Sequence, residues 1–401
     1  MSAIVIWEFR NFMHKNIVWS VIVLSLLLIA ISIVFLGIRP AVKSDSLDTI
    51  VLPQGFKIEV FADSLGSSSV AYPGPNPGPR MMLINDNIMY VTVPNQGRVI
   101  ALPDRNNDKK ADNAVTFLDK LNNPHGIDFN NGWFYIAQEN RLIRVKGSND
   151  SLKADLETLE IIIDNLPTGG HFTRTVKIHN NSLYISIGSS CNVCLEQDER
   201  RAAITKCDLD GKDCRVYSIG LRNAVGFIFH PLTGKMYATE NGRDWLGDDQ
   251  PPDEINLIEE GKNYGWPICY GKDIHDTDFD KNVYVRNPCM EPFEMQSLVD
   301  LQAHSASLGL AFYYGEGFPQ EYRGDLFVAF HGSWNRKQPT GFKIVSIDMD
   351  ALTVKDFATG WLSDGNVLGR PVDIIVADDG PMFVSDDNAG KIYRIYYQGS
   401  K

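Results

Sequence analysis

The stretch PHGIDFNNGWFYIAQ, residues Pro124–Gln138, decides the fold because it contains one complete strand–turn–strand phrase. An apolar strand follows the anchor residue His125, a polar Asn-Asn-Gly turn comes next, and a second apolar strand ends in small and polar residues. Asn and Gly accept the left-handed backbone of a tight turn, so the phrase predicts two adjacent antiparallel strands.

The same phrase occurs six times along the chain, starting at Pro79, Pro124, Thr173, Arg222, Ala306 and Arg370. Most copies start 45 to 50 residues apart, and the longer intervals after Arg222 and Ala306 contain inserted loops. Repeats of this length with Asn/Asp/Gly turns indicate propeller blades, whereas a sandwich would show evenly spaced strands without a repeated phrase. We therefore predict an all-β fold, a six-bladed β-propeller over residues 52–401.

The two ends of this region are expected to meet. FKIEVFA (Phe56–Ala62) and GKIYRIYY (Gly390–Tyr397) both have strand composition, and pairing them in one blade would close the ring and remove exposed sheet edges. Within the propeller, helical composition is confined to DSLKADLETLE (Asp150–Glu160).

Residues 17–38 form an apolar run without a charged side chain. As a helix rising about 1.5 Å per residue, the run would reach roughly 33 Å and could cross a bilayer. A cleaved signal peptide is the alternative, but the run is longer than a signal core and no small-x-small cleavage site follows it. We favour an uncleaved anchor at the cell membrane, with residues 1–16 cytoplasmic, 17–38 transmembrane, 39–51 a linker and the propeller extracytoplasmic.

The six cysteines fall into three sequence-near pairs, Cys191/Cys194, Cys207/Cys214 and Cys269/Cys289. An even number favours disulfides in an oxidising compartment, although several connectivities are open. The CNVC pair could bind a metal, but no second C-x-x-C completes a zinc site, so we favour a structural bridge. The net charge of −12 argues against nucleic acid as a partner.

The repeated phrase places a common set of residues at one end of the central channel, because each anchor precedes an inner strand. These anchors are Arg80, His125, His171–Arg174, Arg222–Asn223, His304–Ser307 and Arg370. As a set, the cations suit a compact, multiply anionic ligand, with about 1.5–3 kcal/mol for each charge-assisted hydrogen bond. For any single arginine, pairing with a neighbouring acid is the favoured interpretation.

Two acidic stretches are candidate metal sites. NGRDWLGDDQPPDEINLIEEGKNYGWP (Asn241–Pro267) is rich in the oxygen ligands that Ca²⁺ prefers, with a solvated surface loop as the alternative. In DRNNDKKAD, oxygen ligands alternate at Asp104, Asn106, Asp108 and Asp112. Lys109 occupies the usual glycine position of a calcium loop and the final glutamate is missing, so a structural Ca²⁺ and a plain acidic turn are equally supported.

GLRNAVGF, NGRDWLGDDQPPDEINLI, NYGWP, FHGSWNR and GRPVDIIVADDGPMFVSDDNAGKIYRI, taken in this order, resemble the glucose/sorbosone dehydrogenases. The resemblance extends from about Leu52 to Tyr397. Within the family, the sequence is most similar to the sorbosone-dehydrogenase-like subgroup. It implies a six-bladed propeller that uses pyrroloquinoline quinone, a tricarboxylate ortho-quinone, together with Ca²⁺.

The resemblance also assigns roles to residues. It implies that His171 is the general base and that Arg222 lies near the quinone. It implies cofactor contacts from Asn223 and Arg370, and calcium-binding backbone carbonyls at Gly242 and Arg243. Arg80 and Arg336 are further candidate cofactor cations. Two positions depart from the family pattern, because Gly170 replaces the acid before the histidine and Val372 replaces an arginine.

The function that follows is a membrane-anchored dehydrogenase that oxidises an aldose or a sorbosone-like sugar aldehyde to a lactone or acid. Electrons would pass to a membrane quinone or a cytochrome. The alternatives are a calcium-dependent propeller lactonase, which would need carboxylate and Asn side chains at the channel centre, and a non-catalytic binding propeller.

Overall fold

The computed structural model describes residues 46–66, 78–148, 150–292 and 294–399. Ser46–Lys401 forms one compact unit. Within the described residues the strands form six four-stranded antiparallel sheets and two small hairpins, which confirms the predicted all-β, six-bladed propeller. No helix in these ranges is long and apolar enough to cross a bilayer. The predicted cytoplasmic segment (1–16) and transmembrane helix (17–38) lie outside the described residues.

The strands follow the repeated phrases, four to a blade, and β1 (Phe56–Ala62) belongs to blade 6. Blades 1 to 3 consist of β2 Met82–Asn85, β3 Ile88–Val93, β4 Arg98–Pro103 and β5 Val115–Leu118; β6 Ile127–Asn130, β7 Trp133–Ala137, β8 Leu142–Ser148 and β9 Lys153–Ile163; and β10 Arg174–His179, β11 Ser182–Ile187, β12 Ala203–Asp208 and β13 Arg215–Ile219.

Blade 4 consists of β14 Phe227–Phe229, β15 Met236–Glu240, β16 Asp253–Ile258 and β19 Val299–Leu301, with the hairpin β17 Cys269–Tyr270 and β18 Ile274–His275 inserted before β19. Blade 5 consists of β20 Ser307–Phe312, β21 Leu326–Phe330, β22 Lys343–Asp348 and β23 Thr353–Ala358, and the hairpin β24 Leu362–Ser363 and β25 Asn366–Val367 follows it. Blade 6 consists of β26 Pro371–Val376, β27 Met382–Asp386, β28 Lys391–Tyr397 and β1. Short 3-10 helices span Ser46–Thr49, Pro94–Gln96 and Gln320–Tyr322.

The ring closes as predicted, because β1 pairs antiparallel with β28 and so becomes the outermost strand of blade 6. The register extends from Phe56 opposite Tyr397 to Ala62 opposite Ile392. The first strands of successive blades contact one another in a closed cycle, which makes them the inner strands around the channel.

Large apolar clusters lie between neighbouring blades, one at each of the six interfaces. Between blades 5 and 6, the rings of Phe56, Phe318 and Phe357 pack at centroid distances of 4.7 to 5.9 Å. Each sheet is therefore buried on both faces, as the continuous apolar composition of strands such as IMYVTV requires.

The stretch of helical composition, Asp150–Glu160, is not a helix. It enters β9, the outermost strand of blade 2, which pairs with β8. Backbone pairing with a preformed sheet edge overrides the helical preference of Ala, Leu and Glu.

All three predicted disulfides are present: Cys191–Cys194, Cys207–Cys214 and Cys269–Cys289. The second bridge crosses the hairpin between β12 and β13, as expected from its DLDGKD turn. The CNVC pair is therefore a structural bridge and does not supply thiolate ligands.

Candidate active site

A cavity of about 80 Å³ opens at the end of the channel where the inner strands begin. Its wall is formed by His171, Arg222, Asn223, Asn241, Gly242, Asp244, Asp253, His304, Ala306, Trp334 and Asn335. Three of the predicted anchor groups therefore meet in one place. A larger cavity of about 290 Å³ lies farther along the same channel, but its wall is mostly apolar and includes none of these anchors.

The His171 imidazole is held in one tautomer by the loop that follows β11. Its Nδ1 lies 3.0 Å from the Ser189 carbonyl oxygen and 3.1 Å from the Ser189 hydroxyl oxygen. A carbonyl only accepts, and the Ser189 hydroxyl donates its hydrogen to the Cys191 carbonyl at 2.6 Å. Nδ1 therefore carries the proton, and Nε2 has a free lone pair with no hydrogen-bond partner among the described residues.

Two buried arginines hold the loop that carries His171, and both use backbone carbonyls as acceptors. Arg174 donates to the carbonyls of His171 and Thr173 at 2.7 and 2.8 Å, and to Pro167. Arg201 donates to the Gly169 carbonyl at 3.0 Å and to a neighbouring carbonyl. The two arginines therefore supply protein donors to the carbonyls of a loop that is itself partly exposed.

The charge around His171 is positive. Burial and the charge of Arg222, with smaller contributions from Arg174 and Arg201, lower the pKa of His171 to about 3. The imidazole is thus neutral at physiological pH, and an anion bound beside it would raise its pKa toward the ordinary value.

Steric crowding explains why a glycine, Gly170, stands before His171 where the family has an acidic residue. Gly170 has φ +67°, and a Cβ at this position would lie 2.5 Å from the Ser189 carbonyl oxygen. The loop carrying Ser189 therefore excludes any side chain here. Its carbonyl orients the histidine instead of a preceding carboxylate.

Arg222 organises two loops rather than pointing alone at a ligand. Its Nε and one amino group donate to the backbone and side-chain oxygens of Asn192, both at 2.9 Å. The other amino group donates to the carbonyls of Asn241 and Gly242 at 3.1 and 3.0 Å. Asn192 also bonds the backbone of Asp244 in both directions, so the CNVC loop and the acidic loop form one unit at Arg222.

Gly242 and Arg243, the two residues predicted to supply calcium-binding carbonyls, differ in their position relative to the cavity. Gly242 lines the cavity, and its carbonyl, with one hydrogen bond from Arg222, retains a second lone pair. The Arg243 side chain turns away to a 2.7 Å ion pair with the buried Asp276. Gly242 therefore offers its carbonyl at the cavity, whereas Arg243 is not among the described residues that line it.

The other predicted cofactor cations have protein partners. Arg80 forms a buried ion pair of 2.8 Å with Asp387, which also accepts from His331 at 2.9 Å. Although burial acts in the opposite direction, His331 and Arg80 hold the pKa of Asp387 below its usual value. Arg370 donates to the Gly332 carbonyl at 3.1 Å and lies 4.7 Å from the Phe342 ring centroid.

Arg336 is a further candidate cofactor cation, and Val372 occupies a position at which the family has an arginine that contacts the cofactor. Arg336 donates to the Asp248 carbonyl and forms a 2.7 Å ion pair with Asp249, so it connects its own loop to the acidic loop. Val372 is fully buried in a small apolar cluster with Val225 and Leu308. Its apolar surroundings explain why a valine, rather than an arginine, occupies this position.

In the DRNNDKKAD turn the predicted ligands accept hydrogen bonds from the backbone. Asp104 accepts from the amides of Asp108 and Lys109, Asn106 accepts from the amide of Asp108, and Asp112 accepts from that of Arg105. Among the described residues, this turn does not bring three acidic ligand atoms within 4.8 Å of one another. A calcium ion at Asp104, Asn106, Asp108 and Asp112 stays a prediction.

The acids beneath the Gly242 loop were not recognised as site residues from the sequence. Asp253 accepts from the backbone amides of Gly242 and Ser307, both at 3.1 Å, and burial raises its pKa to about 7. Glu240 and Glu254 lie opposite each other in the β15–β16 register. Burial and the charge of Glu254 raise the pKa of Glu240 well above its usual value.

Sequence reasoning also missed Ser189, Asn192 and Asn335. Both amide atoms of Asn335 are buried and have no hydrogen-bond partner among the described residues, although the side chain lines the cavity. A buried side-chain amide without a partner indicates a ligand that accepts a hydrogen bond from the NH₂ group and donates one to the carbonyl oxygen. Asn192 and Asn335 lie within the CNVC and FHGSWNR stretches, but those stretches do not reveal their roles, which depend on how the loops meet in the folded ring.

The fold and site together define a six-bladed propeller with a cavity at one channel mouth that His171 and Arg222 line. The chain matches the TrAA12-like family model over residues 76–398 and belongs to that family. It is 33% identical over 368 residues to a Borreliella burgdorferi protein without a functional name, covering 87% of this chain and 91% of the relative.

Named relatives are oxidoreductases. The pyrroloquinoline quinone-dependent pyranose dehydrogenase of Coprinopsis cinerea is 25% identical over 340 residues, which cover 68% of this chain and 46% of the relative. The aldose sugar dehydrogenase YliI of Escherichia coli is 26% identical over 270 residues, which cover 60% of this chain and 64% of the relative. The predicted resemblance to this class of enzyme is therefore confirmed.

Solved structures show the same fold. A calcium structure of Trichoderma reesei carbohydrate-active enzyme family AA12 superposes with a TM-score of 0.72 at 20% identity, covering 88% of this chain and 97% of that chain. The holo pyrroloquinoline quinone domain of Coprinopsis cinerea pyranose dehydrogenase gives a TM-score of 0.70 at 20% identity, with coverages of 86% and 97%.

Proposed function

We propose that this chain is a quinoprotein sugar dehydrogenase whose general base is His171. The observation that carries the proposal is the His171 imidazole itself. His171 lines the cavity, its Nδ1 is fixed as the donor by Ser189, and its Nε2 has no hydrogen-bond partner among the described residues. Family membership supports the reaction class, and the positive surroundings of His171 support an anionic cofactor.

The residues present fit pyrroloquinoline quinone. Its three carboxylates match the positive charge at His171, and the Asn335 amide without a partner can bond its carbonyl and ring nitrogen groups. Asn223, Arg222 and Gly242 also belong to the cavity wall. The Gly242 and Arg243 carbonyls are the proposed calcium ligands, because Ca²⁺ prefers oxygen donors. When bound, the cofactor supplies the two-electron acceptor for a hydride.

The chain's own residues then manage the proton. His171 Nε2 accepts the proton of the substrate hydroxyl as the adjacent carbon loses its hydride, so that an aldose gives a lactone and a hydrated aldehyde gives an acid. The Ser189 carbonyl stabilises the imidazolium through Nδ1–H. Such general-base catalysis contributes about 10²–10⁴-fold.

We place the apolar run at 17–38 in the cell membrane and the propeller outside the cytoplasm, where its three disulfides would persist. A sorbosone-like sugar aldehyde or an aldose is the proposed substrate. A membrane quinone or a cytochrome is the proposed electron acceptor, since an anchored enzyme stays close to both.

The test uses the full chain, stripped of metal and titrated with pyrroloquinoline quinone with and without Ca²⁺. Dye reduction is then followed across aldoses and sugar aldehydes. We expect calcium-dependent cofactor binding, and a loss of about 10²–10⁴-fold in kcat for His171→Ala. His179→Ala is the matched control, because His179 stacks on Phe229 away from the cavity and its loss should leave kcat within about twofold.

Failure to bind the cofactor under either condition would overturn the proposal. Hydrolysis of lactones with Ca²⁺ alone would instead support the lactonase alternative.

A further inference from the structure

Two exposed tryptophans lie together at the mouth of the cavity. Trp245 is 68% exposed and Trp334 is 42% exposed, although large apolar side chains normally avoid water. Their ring centroids are 5.2 Å apart and the rings are nearly perpendicular, at 88°. Trp334 also lines the cavity that contains His171, so the pair borders the proposed reaction site.

The backbone at Trp245 is strained. Its φ of +73° lies in the left-handed region, which costs a bulky residue about 1–3 kcal/mol. His304 and Ala306, across the cavity, also have positive φ, at 62° and 53°. Strain of this kind persists only where surrounding contacts fix the backbone, and it concentrates at functional sites.

Those contacts are present on both sides of Trp245. Before it, the Asp244 amide donates to the Asn192 side chain at 2.8 Å. After it, the Gly247 carbonyl accepts from His304 Nε2 at 2.7 Å. The loop therefore holds an exposed aromatic ring in a fixed place, although burying that ring would have been the usual outcome.

Arg336 connects the two loops that carry the tryptophans. It lies two positions after Trp334, and its guanidinium bonds the Asp248 carbonyl and the Asp249 carboxylate of the Trp245 loop. The two rings are consequently positioned relative to each other before any ligand arrives, which lowers the entropic cost of binding.

We propose that Trp245 and Trp334, the tryptophan platform, bind a second pyranose ring beside the ring that is oxidised. Trp334 lines the cavity of about 80 Å³ whereas Trp245 does not, so a ring held against Trp245 would lie at the edge of the cavity, beside a ring positioned at His171. Flat, rigid aromatic faces suit the C–H faces of a pyranose, and Asp248 and Asp249 supply hydroxyl acceptors nearby. The inference rests on the proposed function for the ligand class and predicts a preference for oligosaccharides over monosaccharides.

The size of the feature argues for a sugar rather than a protein acceptor. A stable protein contact buries about 800 Å² on each partner, whereas this apolar surface consists of two rings bordered by carboxylates. A single sugar ring matches that area and that mixture of apolar and polar groups.

The test is calorimetric titration of the full chain, without cofactor, using cellotriose, maltotriose and glucose. We expect at least one trisaccharide to bind at least tenfold more tightly than glucose. Trp245→Ala and Trp334→Ala should each weaken that binding at least tenfold, while Trp245→Phe retains it within about threefold. Trp133→Phe is the control, since Trp133 lies on β7 beneath Arg144 and should not affect binding.

Equal affinities for glucose and both trisaccharides, or a Trp245→Ala/Trp334→Ala double variant that binds them like the unmodified chain, would overturn the platform. If that double variant kept its sugar affinity but no longer transferred electrons to cytochrome c, the two tryptophans would be assigned to docking of the electron acceptor, and the platform would also be overturned. Because the cofactor is absent from the binding experiment, failure of the dehydrogenase proposal would be seen separately, as an absence of turnover.

Discussion

At the scale of single residues, the candidate base depends on groups that a sequence pattern does not reveal. The resemblance identified His171, but the atoms that fix its tautomer belong to Ser189, in a loop that follows another strand. A histidine with its Nδ1 proton directed at a carbonyl can act only through Nε2, so one backbone carbonyl decides which side of the ring does chemistry.

We expect the His171 imidazole of the cofactor-free protein to remain neutral from pH 8 down to about pH 5. Burial and the arginines lower its pKa from 6.5 to about 3. The measurement is the pH dependence of the imidazole Hε1 resonance, assigned by comparison with His171→Asn. A midpoint near 6.5 would contradict the positive surroundings described above.

The same shift has a consequence for stability. The unfolded chain has the ordinary histidine pKa of 6.5, so between that value and about 3 it binds more protons at His171 than the folded chain does. The free energy of unfolding therefore decreases as the pH falls through this range, and His171→Asn should remove that part of the decrease.

Removal of the Arg174 guanidinium should destabilise the whole loop around His171. Arg174 is fully buried and donates to three backbone carbonyls, which Arg174→Met would leave without donors. We expect the free energy of unfolding, measured by chemical denaturation, to fall by about 3 kcal/mol or more. Arg215→Met is the control, because that arginine pairs with Glu260 at the surface and should cost less than about 1 kcal/mol. Similar losses for the two variants would contradict the assigned role.

At the scale of elements, the channel mouth is built by loops that fix one another. The CNVC loop presents Asn192, which bonds both Arg222 and the backbone of Asp244. The Cys191–Cys194 bridge encloses Asn192 and therefore limits where its amide can lie. A disulfide thus contributes to the site through position rather than through sulfur chemistry.

We expect the double variant Cys191→Ser/Cys194→Ser to bind pyrroloquinoline quinone at least tenfold more weakly, because Asn192 would no longer hold Arg222 and the acidic loop in place. Cys207→Ser/Cys214→Ser provides the matched comparison. That bridge closes a hairpin at the outer edge of blade 3, so its loss should lower thermal stability while cofactor affinity changes less than about twofold. Equal losses of affinity in both variants would show that the CNVC bridge has no special role.

The elements were predictable to the extent that their determinants are local. The six phrases predicted the blades because short apolar runs and Asn/Gly turns act within a few residues of one another. The strand β9 was hidden because its partner edge, not its own composition, decides its conformation. The partner of Arg80 was equally hidden, since Asp387 lies 307 residues away and meets it only when the ring has closed.

At the scale of the whole molecule, the ring depends on one sheet assembled from both ends of the described propeller. Lys57 lies on β1 opposite Tyr396 of β28, two residues after Gly55, whose carbonyl accepts from the Gln398 amide, so the alternation of antiparallel pairs places the Lys57 amide toward β28. Lys57→Pro should remove this backbone donor and lower the free energy of unfolding by about 3 kcal/mol or more. Lys57→Val keeps the donor and should change the free energy of unfolding by at most about 1 kcal/mol. Denaturation curves that coincide for the two variants would mean that the closing pair contributes little.

The same closing sheet sets a condition on biosynthesis. Glu59 and Arg394, which bond across it, are 335 residues apart, so β1 leaves the ribosome long before its partner exists. At about 5–20 residues per second, translation of that interval takes roughly 20 to 70 s. Throughout that time the edge of the apolar strand β1 that later pairs with β28 stays unpaired, and unpaired strand edges promote aggregation. Yield in a recombinant host should therefore depend on holding chaperones and on elongation speed more than on the stability of the finished ring.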